Sequence, residues 1–304
     1  MSALQPLLVC TDFSPIAQHA VQRAARLAVE TGAPLTLMHV MSGDALQQLR
    51  EWLGMQHPLA AQLQTQARQQ LQACAAGLTT QRPVEARTVL AEGHVLDEIS
   101  REAASLDVGL LVLGARGEGF LRRQVLGTTS ERLLRRSTYP LLVVRQAPHT
   151  VYRKALVALD FSPWSQQVLV DVQRVAPHAH WVLFHAFQVP FAEKLHFAGV
   201  DEATIAHYRQ QARTHAVQQL YALAASAGLK PGQWTPCLVE GDPSLCLLQQ
   251  EQAQACDLVV LGKHGQTATE DLLLGSVTKH LLAEGSVDVL VCTRKSLVLT
   301  DANR

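Results

Sequence analysis

Several general signals are absent from this sequence, and each absence closes off a class of function. Lys plus Arg number 26 and Asp plus Glu number 26. A net charge of zero gives no general pull toward nucleic acid or an acidic membrane surface. No segment reaches the roughly 18 consecutive apolar residues that a membrane span needs. The opening MSALQPLLVCTDFSP has no basic stretch followed by a long apolar core, and Asp12 interrupts it. Neither a leader nor a span is expected, and the expected location is the cytoplasm. Six cysteines occur without any CxxC pair. They read as buried reduced thiols, with Cys246, Cys256 and His264 as the one candidate metal set. GxxxxGK[ST], a strand-following GxGxxG, HExxH, GxSxG and the EF-hand loop are all missing.

What the chain does have is a copy of itself. Its 304 residues, 48% of them hydrophobic, suit two domains with a proper core each. LLVCTDFSP (7–15) returns as ALVALDFSP (155–163), AEGHVLDEI as VEGDPSLCL, and LLVLGARG as LVVLGKHG. Asp12 and Asp160, Gly93 and Gly241, Gly114 and Gly262, and Gly127 and Gly275 all stand 148 residues apart. The polar stretch RQAPHTVYRK (145–154) divides the copies, giving expected domains of 1–147 and 151–297.

Within the first copy, short aliphatic runs alternate with helical periodicity. Strands are expected near 7–11, 35–40, 84–91, 110–113 and 141–144. Helices are expected near 16–30, 59–77, 95–104 and 128–136. Such alternation produces a parallel sheet covered by helices, so each half reads as a five-stranded doubly wound α/β unit.

Three features then fall at the carboxyl ends of strands, where open parallel sheets bind ligands. Asp12 follows the first strand, His39-Val40 closes the second, and a loop rich in glycine and arginine, GARGEGFLRRQVLGTT (114–129), follows the fourth. Gly114 and Gly117 are expected to allow close backbone approach and positive φ. Gly127, Thr128 and Thr129 open a helix whose unpaired N–H groups suit an anion, and Arg116, Arg122 and Arg123 add charge. A phosphate chain fits this chemistry. One glycine cluster could equally be a tight turn; its return as GKHGQTATEDLLLGSV (262–277) favours binding.

With these residues in view, the chain resembles the universal stress protein family, in its tandem two-domain form. The family's ATP signature, G-x2-G-x9-G-[ST], is met by Gly114, Gly117, Gly127 and Thr128, and again by Gly262, Gly265, Gly275 and Ser276. The resemblance covers nearly the whole chain. It implies a strand order of 3-2-1-4-5 in each half, a Rossmann-like arrangement, with ATP, often with Mg, in the cleft between strands one and four. Carried over by position, the first site is Asp12, Val40, Gly114, Arg116, Gly117, Gly127, Thr128, Thr129 and Ser130. The second is Asp160, Ala186, Gly262, His264, Gly265, Gly275, Ser276, Val277 and Thr278. The resemblance also implies that the halves pair within the chain through their last strands, 141–144 against 289–292, with a further homodimer open.

The copies differ where charge matters. Arg122-Arg123 become Glu270-Asp271, Val40 becomes Ala186, and Gly241-Asp242-Pro243 supplies a proline that Gly93-His94-Val95 lacks. Acidic groups beside a polyphosphate weaken its binding, so the first site is expected to be the tighter. No catalytic set stands out. The readings left open are a nucleotide-binding stress or regulatory protein, a slow ATPase or self-phosphorylating protein, and an adaptor with one empty or differently liganded site.

Overall fold

The computed structural model describes residues 5–53, 58–81, 84–115, 126–189, 200–265 and 274–293. It divides into two compact units, 1–151 with 288–304, and 152–287.

The first unit begins with β1 (Leu7–Cys10), a run whose Leu7, Leu8 and Val9 are wholly buried. A strand apolar at successive positions belongs in the middle of a sheet covered on both faces. It lies there, parallel to β2 (Leu35–Ser42) on one side and β4 (Leu110–Gly114) on the other. The order continues outward to β3 (Ala86–Gly93) and β5 (Leu141–Val144), giving β3-β2-β1-β4-β5. This is the order implied by the resemblance. Strand β3 begins and ends two residues later than its sequence pattern suggests. Its bounds are set by pairing with β2, from Leu35 with Ala86 to Ser42 with Gly93.

Helix α1 (Pro15–Thr31) has both of its ends encoded locally. Ser14 Oγ accepts the N–H of Ala17, Pro15 takes the first turn, and Gly32 ends the helix at φ 70°. Helix α2 (Gly43–Leu53), in the segment after β2, is an addition to the expected elements. Helices α3 (Leu59–Gln81) and α4 (Val95–Ser105) pack on β2 and β3, and α5 (Thr128–Arg136) lies beside α4.

The second unit repeats the plan. Its strands β6 (Lys154–Ala158), β7 (His180–Phe187), β8 (Trp234–Glu240) and β9 (Leu258–Gly262) are parallel, with β6 between β7 and β9. Its helices are α6 (Ser165–Val175), α7 (Glu202–Ser226), α8 (Pro243–Ala253) and α9 (Ser276–Glu284). His207 and His215 lie exposed on α7. On α8, the buried Glu251 accepts hydrogen bonds from Ser286 N (2.7 Å), Ser286 Oγ (2.6 Å) and Val287 N (3.2 Å).

The last strand, β10 (Asp288–Cys292), groups with the first unit and runs antiparallel to β5, with Val289 opposite Val143 and Val291 opposite Leu141. As delimited by its own contacts, the second unit takes in β6 to β9. A buried charge pair holds β10 in place. Arg23 Nε on α1 lies 3.2 Å from Asp288 Oδ2, with side chains 7% and 1% exposed. Asp288 Oδ1 accepts the backbone N–H groups of Arg145 (2.8 Å) and Gln146 (3.2 Å), and Arg23 Nη1 donates to Thr150 O (2.8 Å). By the repeat offset, Asp171 occupies the place of Arg23 in the second half, and Pro140 the place of Asp288 in the first. The pair is not a duplicated feature.

Removing one member of a buried ion pair strands the other without a counter-charge, at a cost of about 3–5 kcal/mol. Asp288→Ala should lower stability by that amount in urea denaturation. Val29→Ala, an exposed change on α1, the helix that carries Arg23, should shift it by less than about 0.5 kcal/mol.

Candidate functional site

In each unit the chain leaves the central strand toward one side of the sheet and later returns on the other. The connections part there and open a cleft beyond the carboxyl ends of the strands. The first cleft has a volume of about 260 Å³ and the second about 360 Å³. Both lie near the lower end of the small-ligand range, roughly 300 Å³ and upward.

The first cleft brings together Asp12, Val40, Gly114, Gly127, Thr128, Thr129 and Ser130, all expected there from the sequence. The second brings together Asp160, Ala186, Gly262, His264, Gly265, Gly275, Ser276, Val277 and Thr278. Arg116 and Gly117, with Arg122 and Arg123, lie outside the described residues, as do Glu270 and Asp271. Among the described residues no three His, Cys, Asp or Glu side chains converge as a metal site.

Each cleft is lined by the aspartate of the repeated Asp-Phe-Ser-Pro, Asp12 in the first and Asp160 in the second. Asp12 Oδ1 accepts the N–H of Ser14 at 3.1 Å, and Asp160 Oδ1 that of Ser162 at 3.0 Å, a side chain closing its own turn. The intervening phenylalanines sit at left-handed φ, 66° at Phe13 and 59° at Phe161. For a bulky residue this conformation costs about 1–2 kcal/mol. Its recurrence in both halves shows that the surroundings enforce it. Each phenylalanine ring lies over a histidine, Phe13 on His39 with centroids 4.4 Å apart and Phe161 on His185 at 4.1 Å. Each histidine in turn binds the end of the central strand, with His39 Nδ1 2.7 Å from Thr11 O and His185 Nδ1 2.7 Å from Leu159 O. A carbonyl only accepts, so Nδ1 carries the proton in both and the imidazole serves as a brace. These phenylalanines were not singled out from the sequence, although DFSP stands in both copies.

The opposite wall is the start of a helix. Gly127 and Gly275 are the N-caps of α5 and α9 and offer no side-chain cap. The first N–H groups of each helix, at 128–130 and 276–278, are therefore left to the cleft, at the positive end of the helix dipole. Two hydroxyls at these helix starts are used internally. Ser130 Oγ donates to Gly114 O (2.9 Å) and Thr278 Oγ1 to Gly262 O (3.1 Å), tying helix start to strand end. Their hydrogens are used internally, so what they offer a ligand is chiefly backbone N–H. Gly114 differs from expectation: it is not among the glycines of positive φ. Space explains its identity, because a Cβ there would press within 3.2 Å of Ile16 and Ala17 at the start of α1.

Two titrating groups report on the environment. Burial pushes the Cys10 thiol up to about 12, which keeps it protonated and unsuited to nucleophilic work. Burial also lowers the pKa of His185 below 6.5, against opposing effects from its bond to Leu159 and the charge of Asp160.

Comparison with known proteins points to one family. The model of the universal stress protein family matches residues 4–145 and again 151–293. A universal stress protein of Mycolicibacterium smegmatis is 29% identical over 303 residues, spanning 94% of this chain and 96% of its own. One from Synechocystis is 25% identical over 307 residues, spanning 94% and 99%. Among solved structures, a protein described as a putative universal stress protein from Pseudomonas aeruginosa superposes with a TM-score of 0.64 at 19% identity, over 96% of this chain and 94% of its own.

The lowered His185 pKa has a consequence for stability. The folded state binds this proton less readily than the unfolded chain, so the contribution is intact above pH 6.5 and is lost as pH falls through the folded value. Unfolding free energy should therefore decline with falling pH below 6.5, by at most about 1.4 kcal/mol per pH unit for one proton. A His185→Gln chain should show a shallower slope in the same denaturation series.

Proposed function

Because the chain belongs to the universal stress protein family, we propose that its two clefts bind adenine nucleotides, ATP foremost, and that the bound state governs which partners the protein engages in a stress response. The observation that carries this reading is the pairing, in both halves, of a carboxylate and an uncapped helix N-terminus on one cleft. Asp12 and Asp160 accept hydrogen bonds and suit the hydroxyls or base edge of a nucleoside. The N–H groups at 128–130 and 276–278 suit phosphate oxygens. His39 and His185 are braces here, and Cys10 is held as a thiol, so the described groups support binding rather than turnover. A Mg²⁺ ion accompanying the phosphates would be held mainly by them and by water.

Of the two clefts, the first is the tighter for a polyphosphate in this reading. Its loop sequence brings Arg116, Arg122 and Arg123, whereas the second brings Glu270 and Asp271. A few reversed charges at about 1 kcal/mol each change affinity roughly tenfold or more.

Protein purified under native conditions and then denatured should release an adenine nucleotide, identified and counted per chain by chromatography. Recovery of none, from protein that also fails to bind added ATP, would sink the reading. Gly265 gives a sharper test, since a Cβ there would stand 3.3 Å from Asp160 Oδ2. Gly265→Val should fill the second cleft, leave the thermal midpoint within about 2 °C of wild type, and remove one of two calorimetric ATP sites. The site that remains should be the tighter one.

A further inference from the structure

The same serine is used in two ways in the two halves. In the first, DFSPIAQ, Ser14 caps α1: its Oγ accepts Ala17 N at 3.2 Å. In the second, DFSPWSQ, position 165 is serine where the first copy has Ala17. Ser165 Oγ donates to Asp160 Oδ1 at 3.0 Å. Helix α6 begins only at Ser165, with Trp164 as its N-cap and no side-chain cap bond. Ser162, the counterpart of Ser14, is thereby released from capping. It is 7% exposed, and its Oγ has no hydrogen-bond partner among the described residues. It nonetheless lines the second cleft, with its own N–H on Asp160 Oδ1. A buried hydroxyl without a partner carries a desolvation cost that a ligand atom can recover.

We infer that Ser162 is a ligand-binding residue peculiar to the second cleft, where its hydroxyl hydrogen-bonds the uncharged nucleoside end of the nucleotide beside Asp160. This rests on the nucleotide reading of the cleft. The choice of the nucleoside end follows from charge. Ser162 is adjacent to a carboxylate, which repels phosphates, while the N–H groups suited to phosphates are at 276–278 on the other wall. Ser14 has no such place in the first cleft: it is not among the residues that line it, and its Oγ is turned to Ala17 N at the start of α1.

Trp164 lines the same cleft and reports on it. The full chain is titrated with ATP and with adenosine, and the second-cleft signal is the fluorescence change lost in a Trp164→Phe chain. Ser162→Ala should weaken both ligands there by about five- to tenfold, the equivalent of one good hydrogen bond, and by the same factor for each. Ser162→Cys, close in size with a weak donor, should show the same loss and guards against a misfolded alanine variant. Ser14→Ala should lower the thermal midpoint through loss of a cap and leave the Trp164 titration unchanged. If wild type binds and Ser162→Ala binds equally well, the inference falls while the nucleotide reading stands. Weakened ATP with unweakened adenosine would place the contact on the phosphates and overturn the nucleoside assignment. A single calorimetric ATP site with a silent Trp164 signal would overturn both the second-cleft reading and the inference.

Discussion

Each cleft depends on one short hydrogen bond, from an imidazole on the second strand to the first carbonyl beyond the central strand. At 2.7 Å in both halves, it satisfies a carbonyl at the point where the central strand leaves the sheet. It also fixes the ring on which Phe13 or Phe161 stacks, and so stabilises the left-handed turn that aims the preceding aspartate into the cleft. Without the brace, the strained phenylalanine has no compensation and the aspartate no fixed direction. The Asp-Phe-Ser-Pro turn and the histidine twenty-odd residues later form one device, split by a helix.

Around this shared device the two halves diverge through small exchanges with local mechanisms. Ala17 against Ser165 moves a helix start, and that move changes what the preceding serine does. Val40 against Ala186 shortens one apolar wall, and Pro243 enters the second cleft where Val95 borders the first. The Asp242 carboxylate caps α8 through Ser244 N and Leu245 N, whereas His94 makes no side-chain cap bond to α4. A duplicated frame keeps the backbone geometry while side chains at the same positions set different ligand surroundings.

Much of this was legible in the residues. The aliphatic runs, the helix stop at Gly32 and the 148-residue offset identify the strands, the helices and the duplication, because each depends on local periodicity or on plain identity. The clefts were legible too: in a parallel sheet the strand order determines which loops meet, so Asp12 and Gly114 face one another once that order holds. Positions whose role depends on a distant partner were not legible. Ser130 and Thr278 stand among the site residues by position, but each spends its hydrogen on a glycine carbonyl sixteen residues back in sequence. Gly114 looks like a positive-φ residue but answers to the crowding of α1.

The repeat, the alternating elements and the residues gathered at the strand ends follow from side-chain type and spacing along one segment. The burial of Asp288 against Arg23 was decided only in the folded chain. Nothing near Asp288 in the chain announces that partner, 265 residues away. The reason is physical: a carboxylate at the head of an aliphatic strand is unfavourable in the core on every local rule, and becomes tolerable only when folding delivers a guanidinium and two backbone N–H groups to it together.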